Sequence, residues 1–376
     1  MSSESLLRFA KMARFALIGA LLSAAACAGI SATAFGGAQL ALPGPAPRPR
    51  PSGLAAAVTE NAKCEGCHQD IAKEWRGSLH QQAWHDPVFQ KALAIEPEAF
   101  CRGCHAPEAD ASGEPPKAAQ DVGVGCVTCH LQGSDVVGTR AVAAKAGAHA
   151  VVADPRLGTT DACASCHQFE FPRAKGLPMQ NTVREHASSS FSAVACQGCH
   201  MPAVDGPSGR KHRSHDFSVM SDKDMIRSAA TARALRSGSR AITVSISAAG
   251  AGHSFPTGDM FRRLEVRAEA VDADGLVIAR AAPVHLARVF GDHTRPEDGA
   301  VRRVELADTR IPPPGAGPAR EVELELGVDT RGLSVRWTLA YQRMDHAMAA
   351  SFGVEQARDE IEVVSGVIEP VEELKK

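Results

Sequence analysis

The stretch Cys64-Glu-Gly-Cys67-His68 places two cysteines three residues apart and a histidine directly after the second cysteine. This C-x-x-C-H arrangement occurs five times in the 376-residue chain and uses ten of its eleven cysteines. Since these ten cysteines all obey one pattern, the pattern decides how the first half of the chain folds. The other four copies are Cys101-Cys104-His105, Cys126-Cys129-His130, Cys163-Cys166-His167 and Cys196-Cys199-His200.

The spacing of the motif has a direct chemical meaning. Residues three and four apart lie on one face of a helix, so both thiols can form thioethers with one porphyrin. The adjacent imidazole then lies beneath the iron as its proximal ligand. C-x-x-C-H is the mark of a covalently attached c-type haem. We therefore predict five covalent haem c (heme c) groups, with proximal ligands His68, His105, His130, His167 and His200.

Disulfides and zinc sites are the alternative interpretations of these cysteines. Disulfides suit an exported chain but do not require a histidine after every pair. Zinc sites combine two C-x-x-C pairs, or one pair with two histidines, and five pairs do not divide in that way. From the content of cysteine and histidine, about 0.01 such motifs are expected by chance. Haem attachment consumes all ten thiols, so no motif cysteine is left for nucleophilic catalysis. We also predict no other catalytic residue.

Ten histidines remain as candidates for the sixth position on each iron. Two axial ligands favour electron transfer, whereas an open position permits substrate binding. Local context favours His80, on a predicted helix, and His253, in a loop bounded by Gly252 and Gly258, together with His149 and His215. The fifth position is left to His85, His186, His212 or an open iron, with Met201 a weaker candidate. His285, His293 and His346 are predicted to be surface residues.

The N-terminus has the pattern of an export signal. Basic Arg8, Lys11 and Arg14 precede an apolar stretch over residues 15–26, and Ala32-Thr-Ala34 offers a cleavage site. Residues 1–34 are predicted to be a cleaved signal peptide, with two alternatives: an uncleaved membrane anchor, or a lipoprotein signal with Cys27 as lipid-bearing residue. Each interpretation places the protein in the periplasm or otherwise outside the cytoplasm, on the inner membrane if the segment is retained. Residues 35–57 are predicted to be a proline-rich linker.

Beyond the linker, the sequence predicts an α+β multidomain protein. Residues 58–220 should form a loop-rich, mostly α pentahaem domain, and residues 221–239 a helical connector with a helix over 221–236. Alternation of apolar and polar residues predicts an all-β, Ig-like sandwich over residues 240–368, before a tail over 369–376. A short helix is expected over residues 344–356. The predicted strands are 241–248, 264–272, 276–281, 284–290, 301–307, 321–326, 333–342 and 360–367.

Three motif regions and one loop resemble the multihaem c-type cytochrome family that includes the hydroxylamine-pathway tetrahaem cytochrome and the cytochrome c-prime group. The resemblance covers about residues 60–260 and implies His/His ligation, with His80, His149, His215 and His253 best matched. The chain departs from the tetrahaem pattern in having five sites. It also lacks the C-x-x-C-K site of pentahaem nitrite-reducing enzymes. The matching stretches are Cys64–His68 with Trp75, Ser78 and His80, Gly123–His130, Cys196–Pro202 and Gly252–Gly258.

These observations favour an exported electron carrier over an enzyme, with redox proteins as partners. One alternative is a multihaem reductase or oxidase of a small nitrogen or oxygen species at one open iron. Another is a surface or filament conduit assembled through the β domain. A net charge of −2 and a pI near 6.7 argue against a general nucleic-acid binder. The sequence leaves the oligomeric state open.

Overall fold

The computed structural model describes residues 53–371, apart from 111–112, 146–147, 172–173, 207–208, 210, 218, 220–221, 298 and 355–359. The predicted leader (1–34), most of the predicted linker and residues 372–376 of the predicted tail lie outside the described residues. Within the described part of the chain, no helix is long and apolar enough to cross a membrane. Helices are concentrated in the first half and antiparallel sheets in the second, which confirms a mixed α+β fold.

Helices carry the five motifs, except that Cys196 lies directly before its helix. Each motif histidine either closes its helix or follows its last residue, so the two thiols and the imidazole share one helical turn. The first helix begins at Gly53, inside the predicted linker. The helices are α1 (Gly53–Cys67), α2 (Gln69–Trp75), α3 (Pro87–Ile95), α4 (Ala99–His105), α5 (Lys117–Val122), α6 (Cys126–His130), α7 (Asp161–His167), α8 (Thr182–Ala187), α9 (Gln197–His200), α10 (Lys223–Ser228) and α11 (His346–Phe352).

Small sheets follow three of the motifs, where the sequence predicts loops. One begins at Leu131, directly after His130, another at Gln168, directly after His167, and the third at Ala203. They turn the chain back on itself and so shorten the loops between haem-attachment helices. Their strands are β1 (Leu131–Gln132), β2 (Asp135–Gly138), β3 (Val152–Ala153), β4 (Gln168–Phe171), β5 (Ala174–Asn181), β6 (Ala203–Asp205) and β7 (Lys211–Arg213).

The second half, here called the β part (residues 230–371), contains two larger sheets and a hairpin. One sheet has the order β11-β10-β16-β17, with β12 paired to β10, and the other has the order β15-β9-β8. Strands β13 and β14 form the hairpin. The strands are β8 (Ala230–Arg236), β9 (Ala241–Ala248), β10 (Arg263–Val271), β11 (Val277–Arg280), β12 (Val284–Leu286), β13 (Arg288–Thr294), β14 (Val301–Asp308), β15 (Arg320–Glu325), β16 (Ser334–Gln342) and β17 (Glu360–Ile368).

Side chains from both sheets share one hydrophobic core. Residues on β10 alternate between buried and half-buried, as the period-two pattern requires. By contrast, the largest buried apolar cluster lying wholly within the described residues 53–229 is built on Trp84, Leu93 and three alanines. That difference is expected if porphyrins, and not side chains, supply the interior of the first half. The shared core of the β part includes Ile242, Val244, Ile246, Leu264, Val266, Leu324, Val335 and Leu339.

Several local predictions are wrong. The predicted connector helix over 221–236 ends at Ser228, and Ala230–Arg236 form strand β8, because pairing with β9 buries alternate residues of this segment. The predicted strand over 284–290 is divided into two strands. The predicted helix over 344–356 is limited to His346–Phe352, where Gly353 adopts a left-handed conformation.

The region of His80 is also different from the prediction. Helix α2 ends at Trp75, and residues 76–85 form successive turns. His80 therefore lies in a turn and not on a helix. Gly77, with a φ of 87°, lies directly after the helix and supports this change of direction.

Four arginines of the β part reach across to the N-terminal part. Arg343 pairs with Asp86 at 2.7 Å, and Arg303 pairs with Glu96 at 3.1 Å. Arg288 donates to the backbone carbonyls of residues 178 and 179 at 2.6 and 3.0 Å. The fourth, Arg310, pairs with Glu185 at 2.7 Å in a buried position. Ionic contacts thus join the two parts along several elements.

Candidate haem attachment and ligation sites

The motif cysteines are chemically available for attachment. All ten are free of disulfides. Over the stretches that the structure describes, no group of three or more His, Cys, Asp or Glu side chains is arranged to hold a metal ion. We number the motifs site 1 (Cys64–His68), site 2 (Cys101–His105), site 3 (Cys126–His130), site 4 (Cys163–His167) and site 5 (Cys196–His200).

Cysteines of different sites lie next to each other. A hydrogen bond from Cys126 lowers the pKa of the Cys64 thiol to about 7, which puts site 3 beside site 1. A hydrogen bond from Cys163 lowers the pKa of the Cys196 thiol to about 6, which puts site 4 beside site 5. Since each sulfur is to be bonded at the edge of a porphyrin, neighbouring sulfurs mean neighbouring porphyrin edges.

One further hydrogen bond and one electrostatic interaction connect these pairs. A hydrogen bond with Cys166 raises the pKa of Cys104, so site 2 adjoins site 4. Cys129 of site 3 interacts electrostatically with Cys163 of site 4. The sites therefore form a row in the order 1, 3, 4, and sites 2 and 5 both adjoin site 4.

Four of the five proximal histidines face a second histidine from elsewhere in the chain. The ring centres are 6.1 Å apart for His68 and His149, and 6.4 Å apart for His167 and His80. They are 6.1 Å apart for His130 and His215, and 6.2 Å apart for His200 and His253. The four partners are the four histidines that the sequence ranks first.

These separations match what one iron between two imidazoles needs. A metal–imidazole bond is about 2 Å long and the ring centre lies about 1 Å beyond the nitrogen, so the two centres should be about 6 Å apart. Direct ring stacking would bring the centres closer, as it does for His105 and Phe89 at 3.4 Å. The residues of sites 1, 3, 4 and 5 therefore fit a six-coordinate haem c.

Hydrogen bonds orient several of these rings. His149, His215 and His253 each place Nδ1 at 2.8 to 3.0 Å from a backbone carbonyl oxygen one or two residues away. On the proximal side, Nδ1 of His130 lies 3.0 Å from the carbonyl of Val137. An Nδ1–H group that donates to a carbonyl leaves Nε2 free for a metal.

Burial keeps four of the eight paired imidazoles neutral. It lowers the pKa of His80 to about 3. It also lowers the pKa of His167, His200 and His253 to about 4 in each case. The neutral imidazole is the form that binds iron. At neutral pH the fold therefore presents these ligands without a proton to displace.

The position of His80 depends on a close backbone approach. The carbonyl of His80 accepts a hydrogen bond from the backbone N–H of Val124 at 2.9 Å. A Cβ at Gly123, whose φ is 54°, would lie 2.6 Å from the His80 carbonyl oxygen and 2.5 Å from that of Gln81. Trp75 donates to the Val124 carbonyl at 2.9 Å. The Gly123-Val124 segment therefore fixes the turn that delivers His80 to site 4.

Site 2 has a different arrangement. His105 donates from Nδ1 to the carbonyl of Ala83, and its ring stacks on Phe89 at an interplanar angle of 3°. Burial lowers the pKa of its imidazole. Among the ring pairs within the described residues, His105 has no histidine opposite it at the separation seen in the other four sites.

The remaining candidates for a fifth distal ligand are engaged elsewhere. His85 directs Nε2 to Asp121 at 3.2 Å, and His212 directs Nε2 to Glu74 at 2.9 Å. His186 is buried beside Gly252, in the neighbourhood of site 5. Met201 follows α9 and belongs to site 5 by position. These contacts place none of them opposite His105.

The three histidines predicted to be surface residues lie in the β part. His285 and His293 are exposed, and His285 pairs with Glu265 at 3.1 Å. His346 is only half-exposed, at the start of α11. The structure thus places none of the three at an attachment site.

Residues that hold the ligands in place were missed by the sequence analysis. Glu185 and Arg310 form a buried ion pair beside the His253 loop. Phe217, with a φ of 47°, packs on His80 with ring centres 4.1 Å apart. Neither the charged pair nor the aromatic residue belongs to a recognisable motif, so no local signal identifies them.

Known proteins share features with this chain. The family model described as cytochrome c554 and c-prime matches residues 63–131, which include sites 1 to 3. No curated protein sequence matches the chain. The crystal structure of a penta-heme cytochrome c552 from Thermochromatium tepidum is similar, with a TM-score of 0.64 and 23% sequence identity. That similarity covers 81% of this chain and 97% of the other.

Proposed function

We propose that this chain is an exported pentahaem electron carrier. Its matches to known proteins support a resemblance to the multihaem c-type cytochromes. The four histidine pairs with ring centres 6.1 to 6.4 Å apart are the observation that carries this proposal. Each pair joins one motif histidine to one histidine from a distant part of the chain. Saturated axial ligation favours electron transfer over substrate binding.

In this proposal each distal ligand comes from a different segment. His149 serves site 1, His215 serves site 3, His80 serves site 4 and His253 serves site 5. When bound, haem supplies one-electron oxidation and reduction at its iron. The chain would hold each macrocycle by two thioethers and, at sites 1, 3, 4 and 5, would supply two histidines to its iron. These are the means by which a protein tunes the potential of a haem.

The adjacency of the sites also supports a relay. Hydrogen bonds between cysteines join site 1 to site 3, site 2 to site 4 and site 4 to site 5, and an electrostatic interaction links site 3 to site 4. A carrier that accepts electrons at one place and delivers them at another needs such continuity.

A second function is favoured by one observation at site 2. His105 has a Phe89 ring on its face and no histidine opposite it among the described ring pairs. An open position would let site 2 bind a small nitrogen or oxygen species as a reductase or oxidase. Asp86 and Asp259 act electrostatically on His105, so ionisable groups lie nearby. We therefore keep this activity as the second candidate.

The location and partners complete the proposal. An export signal over residues 1–34 would place the haem sites where c-type cytochromes work, outside the cytoplasm. Loss of that segment, with Arg8, Lys11, Arg14 and Glu4, changes the net charge from −2 to −4. An acidic carrier favours a redox partner with a basic docking face. The β part would then be an Ig-like sandwich that shields site 5 and supplies its distal ligand.

Spin-state spectroscopy tests the assignment. A pyridine haemochrome count should give five haems per chain, and electron paramagnetic resonance of the oxidised protein should show at least four low-spin haems; a high-spin signal from the fifth haem would favour the second candidate. His80→Ala, His149→Ala, His215→Ala and His253→Ala should each convert one further haem to high spin. His85→Ala and His212→Ala are the matched controls and should leave the spectrum unchanged. A low-spin signal unaffected by the first four substitutions would refute the proposed ligands.

A further inference from the structure

The loop over Gly252–Gly258 carries His253 from the β part to site 5. We propose that Glu185 and Arg310 form a buried interlock between the two parts of the chain that holds this loop, and with it His253, on the fifth haem iron. The two side chains are positioning residues and do not touch the iron. The inference rests on the proposed function in one respect, namely that His253 is the distal ligand of site 5.

The interlock closes around the second half of the loop. Arg310 donates from Nη1 to the carbonyl of Pro256 at 3.0 Å and from Nη2 to Glu185 Oε1 at 2.7 Å. The hydroxyl of Thr257 donates to Glu185 Oε2 at 2.7 Å. One carboxylate therefore binds both the loop and the arginine that holds the loop. Since both charged side chains are 5% exposed, water does not compete for these contacts.

The loop is also anchored to the β part by its backbone. The N–H of Phe255 donates to the carbonyl of Ile311 at 2.9 Å, and the N–H of Ile311 donates to the carbonyl of Phe255 at 3.0 Å. The Phe255 ring stacks on Tyr341 with centres 6.0 Å apart. Because Ile311 follows Arg310, the arginine is held at a fixed distance from the loop.

The other face of the loop packs on the N-terminal part. Thr182 and Thr257 share a hydrogen bond at 2.9 Å between their hydroxyl groups. A Cβ on Gly252 would lie 3.3 Å from the His186 ring and 3.3 Å from Cβ of Phe191, so little free space remains there. The loop is thus packed between the β part and helix α8, which carries Thr182, Glu185 and His186.

The charge balance of the interlock depends on Glu185. Arg310 also pairs with Asp308 at 2.8 Å, but the Asp308 side chain is 39% exposed. Removal of the Glu185 charge would leave a buried guanidinium with only this outer partner. The loop would lose its link to α8, and His253 would dissociate from the iron more readily.

Carbon monoxide binding to the reduced holoprotein measures this directly, since carbon monoxide binds only to an iron whose sixth position is open, which in the native protein is expected at site 2 alone. We expect Glu185→Gln to make one additional haem per chain accessible and to speed binding there by at least about tenfold. Thr257→Val removes one hydrogen bond of the interlock without a change of charge and should have a smaller effect in the same direction. A haem count of five per chain and an unchanged circular dichroism spectrum identify correctly assembled variants.

Glu96→Gln is the matched control, because the Arg303–Glu96 pair also joins the two parts but is exposed. It should bind carbon monoxide as the native protein does, and a gain equal to that of Glu185→Gln would overturn the interlock in favour of general loosening. His253→Ala separates the two hypotheses. If it gains one binding haem while Glu185→Gln and Thr257→Val do not, the interlock is refuted and the ligand assignment stands. If His253→Ala gains none, the proposed ligand of site 5 is wrong.

Discussion

Gly123→Ala is the substitution whose effect follows most directly from the backbone. The new Cβ would lie 2.5 Å from the Gln81 carbonyl oxygen and 2.6 Å from that of His80, well inside van der Waals contact. A left-handed backbone costs about 1–2 kcal/mol for a residue with a Cβ, and overpacking costs about 1–3 kcal/mol more. The free energy of unfolding should therefore fall by about 2–5 kcal/mol.

Gly133→Ala provides the control. Gly133 also has a positive φ, 60°, but a Cβ there would meet no atom within 4 Å, so only the backbone cost of about 1–2 kcal/mol applies. Guanidinium denaturation followed by circular dichroism compares the two variants. Because Gly123→Ala displaces the turn that carries His80, it should also raise the high-spin fraction of one haem. Equal stabilities and equal spectra for the two variants would refute this account of the turn.

Three further predictions follow from other parts of the structure. Trp75→Phe removes the hydrogen bond to the partly buried Val124 carbonyl and should lower the free energy of unfolding by about 0.5–1.5 kcal/mol, measured by denaturation. Although burial alone would raise them, the pKa values of Glu265 and Glu360 lie below their ordinary 4.5 because of hydrogen bonds that include those from Arg267. Their contribution to stability is present above pH 4.5 and is lost as the pH falls through the lowered values, so Arg267→Met should move acid unfolding to higher pH. Acidified acetone should leave haem in the protein pellet, since thioethers are covalent, and haem released into the acetone would contradict covalent attachment.

The β part was the more predictable half at the level of strands. Strand β9 runs over Ala241–Ala248 as the sequence predicts, because alternation of apolar and polar residues is a local signal of a half-buried strand. The segment Ala230–Arg236 was mispredicted since alanine, leucine and arginine favour helices in isolation. Its strand forms through pairing with β9, a long-range contact that no local pattern contains.

The candidate site was likewise predictable only where the signal is local. Attachment residues follow from a short motif, so the position of His68 and its counterparts was predictable. The partner of each iron was not, because the chain folds back in ways that sequence distance does not reveal. His80, for example, follows site 1 but faces His167 of site 4. The Glu185–Arg310 pair joins residues from two different parts and is equally invisible to motif analysis.

The histidines that face sites 1 and 3 come from later segments of the chain, and this has a consequence for biogenesis. His149, which faces His68, is synthesised only after sites 2 and 3, and the partner of His130 follows site 5. In the proposed ligation, sites 1 and 3 therefore lack their distal histidines until these later segments of the chain are present. A chain shortened before His215 would thus keep its first three attachment motifs but lose the histidine that faces His130.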